Sequence, residues 1–105
     1  DDVIKTGGFR VGPYEVEDVL AAHPAVLECC VVGVPDALRG QAIKAYVVPA
    51  GGYAPSAVLQ KELREFCNCR LAEYKRIRHV ELVEELPKTI SGKIRRVELR
   101  EEQNS

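Results

Sequence analysis

Apolar residues recur along this chain in two rhythms. Val16, Val19 and Leu20 follow Pro13 at helical spacing and stop at His23-Pro24, which predicts one amphipathic helix with proline in its first turn. Val58, Leu59, Leu63, Phe66 and Cys67 form a second helical stripe, with Ser56 placed to cap it and an end expected near Leu71. Two β-branched runs, Val26 to Val34 and Ala42 to Val48, read as strands, closed by Pro35-Asp36 and by Pro49 with Gly51-Gly52. They flank the loop Asp36-Ala37-Leu38-Arg39-Gly40. A strand through Val80, Leu82 and Val83 precedes a polar loop from Pro87 to Lys93, and a short last helix contains Val97 and Leu99. At the start, Val3, Ile4, Phe9 and Val11 bracket Thr6-Gly7-Gly8, where two glycines permit positive φ, so a hairpin is expected there.

These elements predict an α+β fold. A small sheet carries helices on one covered face, joined by short links that suit antiparallel strands, between an N-terminal hairpin and a C-terminal lysine loop with its short helix. A length of 105 residues suits one domain, 1–105, with no room for a second core. Hydrophobic residues at 46% separate the chain from disordered sequences. No apolar run reaches the roughly 20 residues that span a bilayer, and Asp1-Asp2-Val3-Ile4-Lys5 is not a signal peptide. The chain opens abruptly in what reads as a charged strand or hinge, so it is expected to be a domain cut from a larger partner.

Charge changes the picture locally. The net charge is -1, which gives no bulk attraction to nucleic acid, but residues 70–100 carry nine Lys or Arg against five Glu. That segment is either a solvated face or a surface for phosphates. It lacks the interleaved aromatic residues and the motif of a nucleic-acid binder, so no nucleic-acid partner is expected. The four cysteines, Cys29-Cys30 and Cys67-x-Cys69, match neither paired zinc spacing nor a disulfide framework. Cys29 and Cys30, neighbours on a strand, point to opposite faces. Reduced and mostly buried thiols are expected, with no metal site.

The most informative stretch is Pro87-Lys88-Thr89-Ile90-Ser91-Gly92-Lys93-Ile94-Arg95-Arg96, a glycine-containing loop that presents a lysine before a helix. It is not a phosphate-binding P-loop, which needs Gly at Pro87 and Ser or Thr at Ile94. Taken alone it is also a plain basic turn.

It does not stand alone. Asp1-Asp2-Val3-Ile4-Lys5-Thr6-Gly7-Gly8-Phe9-Arg10-Val11-Gly12-Pro13-Tyr14-Glu15-Val16-Glu17 closely resembles the hinge motif opening the C-terminal domain of the adenylate-forming enzymes: acyl-CoA synthetases, luciferases and peptide-synthetase adenylation domains. Pro87 to Arg96 resembles that superfamily's closing lysine motif. The strand Val31 to Asp36, followed by Arg39-Gly40, also resembles the family, and Arg39-Gly40-Gln41 with Glu73-Tyr74-Lys75-Arg76 looks most like acetyl- and medium-chain acyl-CoA synthetases.

The resemblance implies a mobile domain of an AMP-forming acid-thiol ligase, whose substrates are a small carboxylic acid, ATP with Mg2+ and CoA. No cofactor is expected to be held by this domain alone. It further implies Lys93 as the catalytic lysine of adenylation and a nucleotide contact, Asp1 as the hinge residue and Arg10 as a second nucleotide contact. Gly7, Gly8 and Phe9 are implied to line the pantetheine path, and Arg39, Arg76 and Arg78 to meet CoA phosphates, where guanidinium forks suit phosphate oxygens. Each of these arginines also reads as an ordinary surface residue. Several relatives carry a basic residue that meets the 3′-phosphate of CoA where Asn68 stands here, which leaves three alternatives: Arg70 substitutes, CoA binds more weakly, or the thiol acceptor differs. Lys5 reads as facing the active site or as a strand-edge lysine, and His23 as a helix-ending residue.

The partner implied is a large N-terminal adenylation domain of the same chain, and the compartment the cytoplasm, or the mitochondrial matrix in a eukaryote. The competing reading is a self-standing module that binds CoA or an acyl carrier without catalysis, against which the lysine at position 93 argues.

Overall fold

The computed structural model describes residues 2–88, 94 and 96–104, and side chains as far as Arg100. Strands β1 (Ile4–Thr6) and β2 (Phe9–Val11) form the expected hairpin, with Ile4 opposite Val11. Its turn depends on glycine: Gly7 and Gly8 sit at φ 56° and 86°, a left-handed pair that side chains resist. Helix α1 (Pro13–Ala21) follows with proline in its first turn and buries Val16 and Leu20. Strands β3 (Val26–Asp36) and β4 (Gly40–Pro49) pair antiparallel along their length. Helix α2 (Ala57–Asn68) starts at Ser56, whose hydroxyl accepts from Leu59 N at 3.0 Å. A short 3-10 turn (Glu73–Lys75) leads into β5 (His79–Leu82), and α3 (Arg96–Asn104) is the last element.

The sheet runs β2-β1-β4-β3, with β5 also on β4. Because β3 occupies one edge of β4 throughout, β1 and β5 share the other: Thr6 pairs Gly40 at one end, and Lys44 to Val47 pair His79 to Leu82 further along. The β4–β5 pairing is parallel, with α2 as the connection, where the sequence pattern led us to expect antiparallel links.

The sheet is also covered on both faces rather than one. Val16 and Leu20 of α1 and Leu59, Leu63 and Cys67 of α2 pack with Val31, Ile43, Ala45 and Val47 on one face. Leu99 of α3 and Leu86 pack with Cys30, Val32, Tyr46 and Val48 on the other. The unbroken buried runs Val31 to Val34 and Ala42 to Val48 follow from this, since a strand covered on both faces cannot alternate. Val58 leaves the expected helix stripe and is 76% exposed, because Leu59, Leu63 and Cys67 at four-residue intervals set the buried line.

Cys29 and Cys30 do face opposite sides: Cys29 packs with the α1–α2 core and Cys30 lies in the core beneath α3. Burial pushes the Cys29 and Cys30 thiols from 9.0 up to about 12 and Cys67 up to about 11, with the Glu17 charge adding to the effect on Cys29. Cys69 is exposed. A raised thiol pKa favours the folded state below the unfolded value. Between about pH 9 and 12 the unfolded chain loses these protons while the folded chain keeps them, so stability falls as pH rises through that window. A thiol reagent at about pH 8 should therefore take one rapid equivalent, at Cys69, and reach the other three only in denaturant. More than one rapid equivalent contradicts this packing.

Candidate functional site

The shared edge of β4 creates the site. Between Thr6 of β1 and the start of β5 the edge of β4 has no strand partner: Arg78 N donates to Ile43 O at 2.8 Å, and the Gln41 side chain serves β1, its Oε1 accepting from Lys5 N at 2.7 Å. The chain arriving at β5 and the hairpin thereby stand apart around a cleft of about 330 Å³. It is lined by Thr6, Gly7, Phe9 and Arg39 on one side and by Glu73, Tyr74, Arg76 and Arg78 on the other.

Each wall is fixed locally. Gly7 N donates to Arg39 O at 2.9 Å, tying the hairpin turn to the β3–β4 loop. Within that loop Asp36 Oδ1 accepts from Arg39 N at 2.8 Å and Leu38 N at 2.9 Å, and Oδ2 lies 3.4 Å from Arg39 Nη1. These contacts, the Arg39 backbone N–H first among them, hold the Asp36 carboxyl below the usual carboxylate range. On the facing wall the Asn68 carboxamide grips one residue from both ends, Nδ2 donating to Ile77 O at 3.0 Å and Oδ1 accepting from Ile77 N at 2.8 Å. Ile77 is buried, so Arg76 and Arg78 on either side of it stay outward. Phe9 and Tyr74 stack across the mouth with centroids 4.3 Å apart and planes at 20°. Lys75 reaches Glu15 of α1 at 3.0 Å, and that hydrogen bond raises its pKa.

Five of the residues singled out in the sequence, Gly7, Phe9, Arg39, Arg76 and Arg78, therefore line one cleft. Three arginines against one Glu73 give it a surplus of positive charge suited to phosphate groups. Gly8 and Arg10 are exposed and do not line it. Within this domain a Cβ at Gly7 or Gly8 meets nothing within 4 Å, and positive φ is what requires glycine at both positions. Lys93 and Asp1 lie outside the described residues. Lys5 is exposed, with its backbone committed to Gln41.

The Asn68 carboxamide acts as a clamp on the arginine wall. Arg70 is folded back, its guanidinium 3.7 Å over the Phe66 ring and Nη1 donating to Phe66 O at 2.7 Å, away from the cleft. His23 ends α1 buried, Nδ1 accepting from Ala25 N at 3.0 Å and Nε2 2.7 Å from Glu62 Oε2. That pattern places the proton on Nε2. Sequence reading missed Thr6, Glu73 and Tyr74 as lining residues; the signal available was an aromatic residue beside two arginines in a polar stretch. Among the described residues no three His, Cys, Asp or Glu stand together as a metal site, and no helix is long and apolar enough to cross a membrane.

Residues 15–93 match the family described as the AMP-binding enzyme C-terminal domain. The chain is 61% identical over 100 residues to 4-hydroxybutyrate–CoA ligase 1 of Metallosphaera sedula, covering 95% of this chain and 18% of that protein. It is 45% identical over 105 residues to the mitochondrial acyl-coenzyme A synthetase ACSM3 of Mus musculus, covering 98% and 18%. Among solved structures it superposes on the acyl-CoA synthetase of Brucella canis with a TM-score of 0.93 at 44% identity, covering 99% of this chain and 19% of that one. The chain thus spans about a fifth of the length of the relatives it matches.

The clamp makes a quantitative claim. Asn68→Ala removes two hydrogen bonds to a part-buried backbone and should lower unfolding free energy by about 1–3 kcal/mol in urea titrations. A change below the error of that measurement removes Asn68 from this role.

Proposed function

The chain belongs to the family of AMP-binding enzyme C-terminal domains, and we propose that it is the mobile lid of an AMP-forming acyl-CoA synthetase. The observation that carries this reading is the cleft that gathers Gly7, Phe9, Arg39, Arg76 and Arg78. A large N-terminal domain supplies the adenine and acyl pockets. In the first half-reaction the carboxylate attacks the α-phosphate of ATP, forming the acyl-phosphate bond and releasing pyrophosphate. In the second the CoA thiol attacks the acyl carbonyl, forming the thioester, releasing AMP and giving up its proton.

Lys93 acts in the first step. Its ammonium sits between the α-phosphate and the incoming carboxylate, offsets their repulsion and stabilises the charge that develops in the transition state. Arg10 contacts the nucleotide. ATP enters as its magnesium complex. In the second step the domain turns about Asp1 and presents the cleft, where Arg39, Arg76 and Arg78 meet CoA phosphates and the hairpin of Gly7, Gly8 and Phe9 borders the pantetheine arm. The cleft lies on the β1–β5 edge of β4, and the anchors flanking residues 89–93 pair Lys88 with Glu28 of β3 and Arg96 with Glu17 of α1. The enzyme works in a compartment with reduced thiols, the cytoplasm or the mitochondrial matrix.

Paired variants of the full-length enzyme test this. Lys93→Ala should slow acid-dependent ATP–pyrophosphate exchange by about a hundredfold or more, on the order of 3 kcal/mol, while thioester formation from supplied acyl-AMP changes little. Arg76→Ala should do the reverse, raising the KM for CoA by about tenfold with exchange intact. Equal loss of both half-reactions in either variant overturns the assignment.

A further inference from the structure

Arg96 stands three residues after Lys93 at the start of α3, and its side chain is only 12% exposed. It reaches α1, where its Nη2 lies 2.8 and 2.6 Å from the two oxygens of Glu17, itself 14% exposed. The guanidinium plane rests 4.6 Å over the ring of Tyr14, one turn earlier on the same helix. Glu17 Oε2 also accepts from Val31 N at 2.7 Å, so one carboxylate joins the first turns of α1, the middle of β3 and the root of α3. Burial works against the charge of Arg96, yet the hydrogen bond and charge of Glu17 outweigh it and raise its pKa.

A buried pair of this kind adds little net stability over well-packed apolar groups, since both ions lose their water, but it fixes geometry. The other end of the segment is fixed too. Lys88 pairs with Glu28 of β3 at 2.8 Å, and an antiparallel bridge joins Lys88 to Ile94. Both flanks of residues 89–93 are thus referred to the same strand, β3. The hairpin and its cleft have anchors of their own, β1 on β4 and the Phe9–Tyr74 stack, and share α1 with the clasp through Lys75 on Glu15.

We propose that the Glu17–Arg96 pair is a positioning clasp that sets where Lys93 enters the partner domain, making Glu17 and Arg96 positioning residues for adenylation and not for thioester formation. The inference rests on the reading of Lys93 as the adenylation lysine. An error of about 1 Å in a charged catalytic group costs up to a hundredfold in rate, so a loosened clasp has a measurable signature.

The test uses the full-length enzyme with Arg96→Lys, which keeps the charge but loses the planar stack on Tyr14, Glu17→Gln, which keeps the shape but loses the charge, and Lys93→Ala as reference. Both clasp variants should lower the kcat of ATP–pyrophosphate exchange by about tenfold or more with the KM for ATP nearly unchanged, while thioester formation from supplied acyl-AMP stays within about twofold. Amide exchange should quicken at residues 86–100 and stay unchanged in β4 and the hairpin. Where Glu17→Gln fails to fold, Arg96→Lys and its amide exchange carry the decision. Wild-type exchange kinetics in Arg96→Lys, or parallel loss of both half-reactions, overturns the clasp while Lys93→Ala still abolishes exchange. Exchange that survives Lys93→Ala overturns the adenylation reading, and the purpose of the clasp with it.

Discussion

One edge of β4 serves two strands, and the cleft exists because neither fills it. β1 meets that edge only at Gly40, and β5 begins at Lys44. Unpaired backbone groups on a central strand are costly and open to wrong partners, so the gap must be managed. Ile43 O on β4 takes Arg78 N, which pins the arginine-bearing segment to the sheet, and on the facing strand β1 the Gln41 side chain satisfies Lys5 N. Gln41 needs room to do this: a Cβ at Gly33 on β3 would stand 2.9 Å from its carboxamide carbon. The cleft is thus built by backbone hydrogen bonding, and its charge is added by side chains whose directions that bonding sets.

The rest of the structure divides around this gap. Toward β1 and β5 lie the hairpin, the stacked Phe9 and Tyr74 and the three arginines. Against β3 lie α3 and the Lys88–Glu28 pair, with Arg96 on Glu17 of α1 and Arg100 on Asp2 tying α3 back to the elements beside the cleft. The unbroken apolar runs of β3 and β4 are the rigid centre between them, and a rigid centre lets a domain present one side or the other without distorting either.

What was legible in the sequence was what local chemistry decides. Gly7-Gly8 specified the left-handed turn, Pro13 the first turn of α1, and Ser56 the cap of α2. What was not legible depends on residues far apart. The Val31 to Val34 run carries the mark of a strand covered on both faces, but α3, which covers the second face, lies more than sixty residues later. The parallel placement of β5 needs knowledge of how α2 crosses the sheet, and no local pattern encodes it. Both motifs were plain as motifs, yet the pairing of Glu17 with Arg96 at their ends is a contact across 79 residues. Asn68 reads in sequence only as the loss of a charge; its grip on Ile77 emerges once α2 and β5 are side by side.

The central claim is that this domain holds part of a CoA site and that the partner domain holds the rest. Binding must first offset the loss of translational and rotational freedom, so a site with half its walls absent falls from micromolar to millimolar affinity, a loss on the order of 4 kcal/mol. Titration of CoA into the isotope-labelled domain, followed by amide chemical shifts, measures this directly. The account predicts shifts confined to residues 6–9, 39 and 73–78 that saturate only near millimolar CoA. Micromolar binding by the domain alone, or shifts centred away from that cleft, contradicts it.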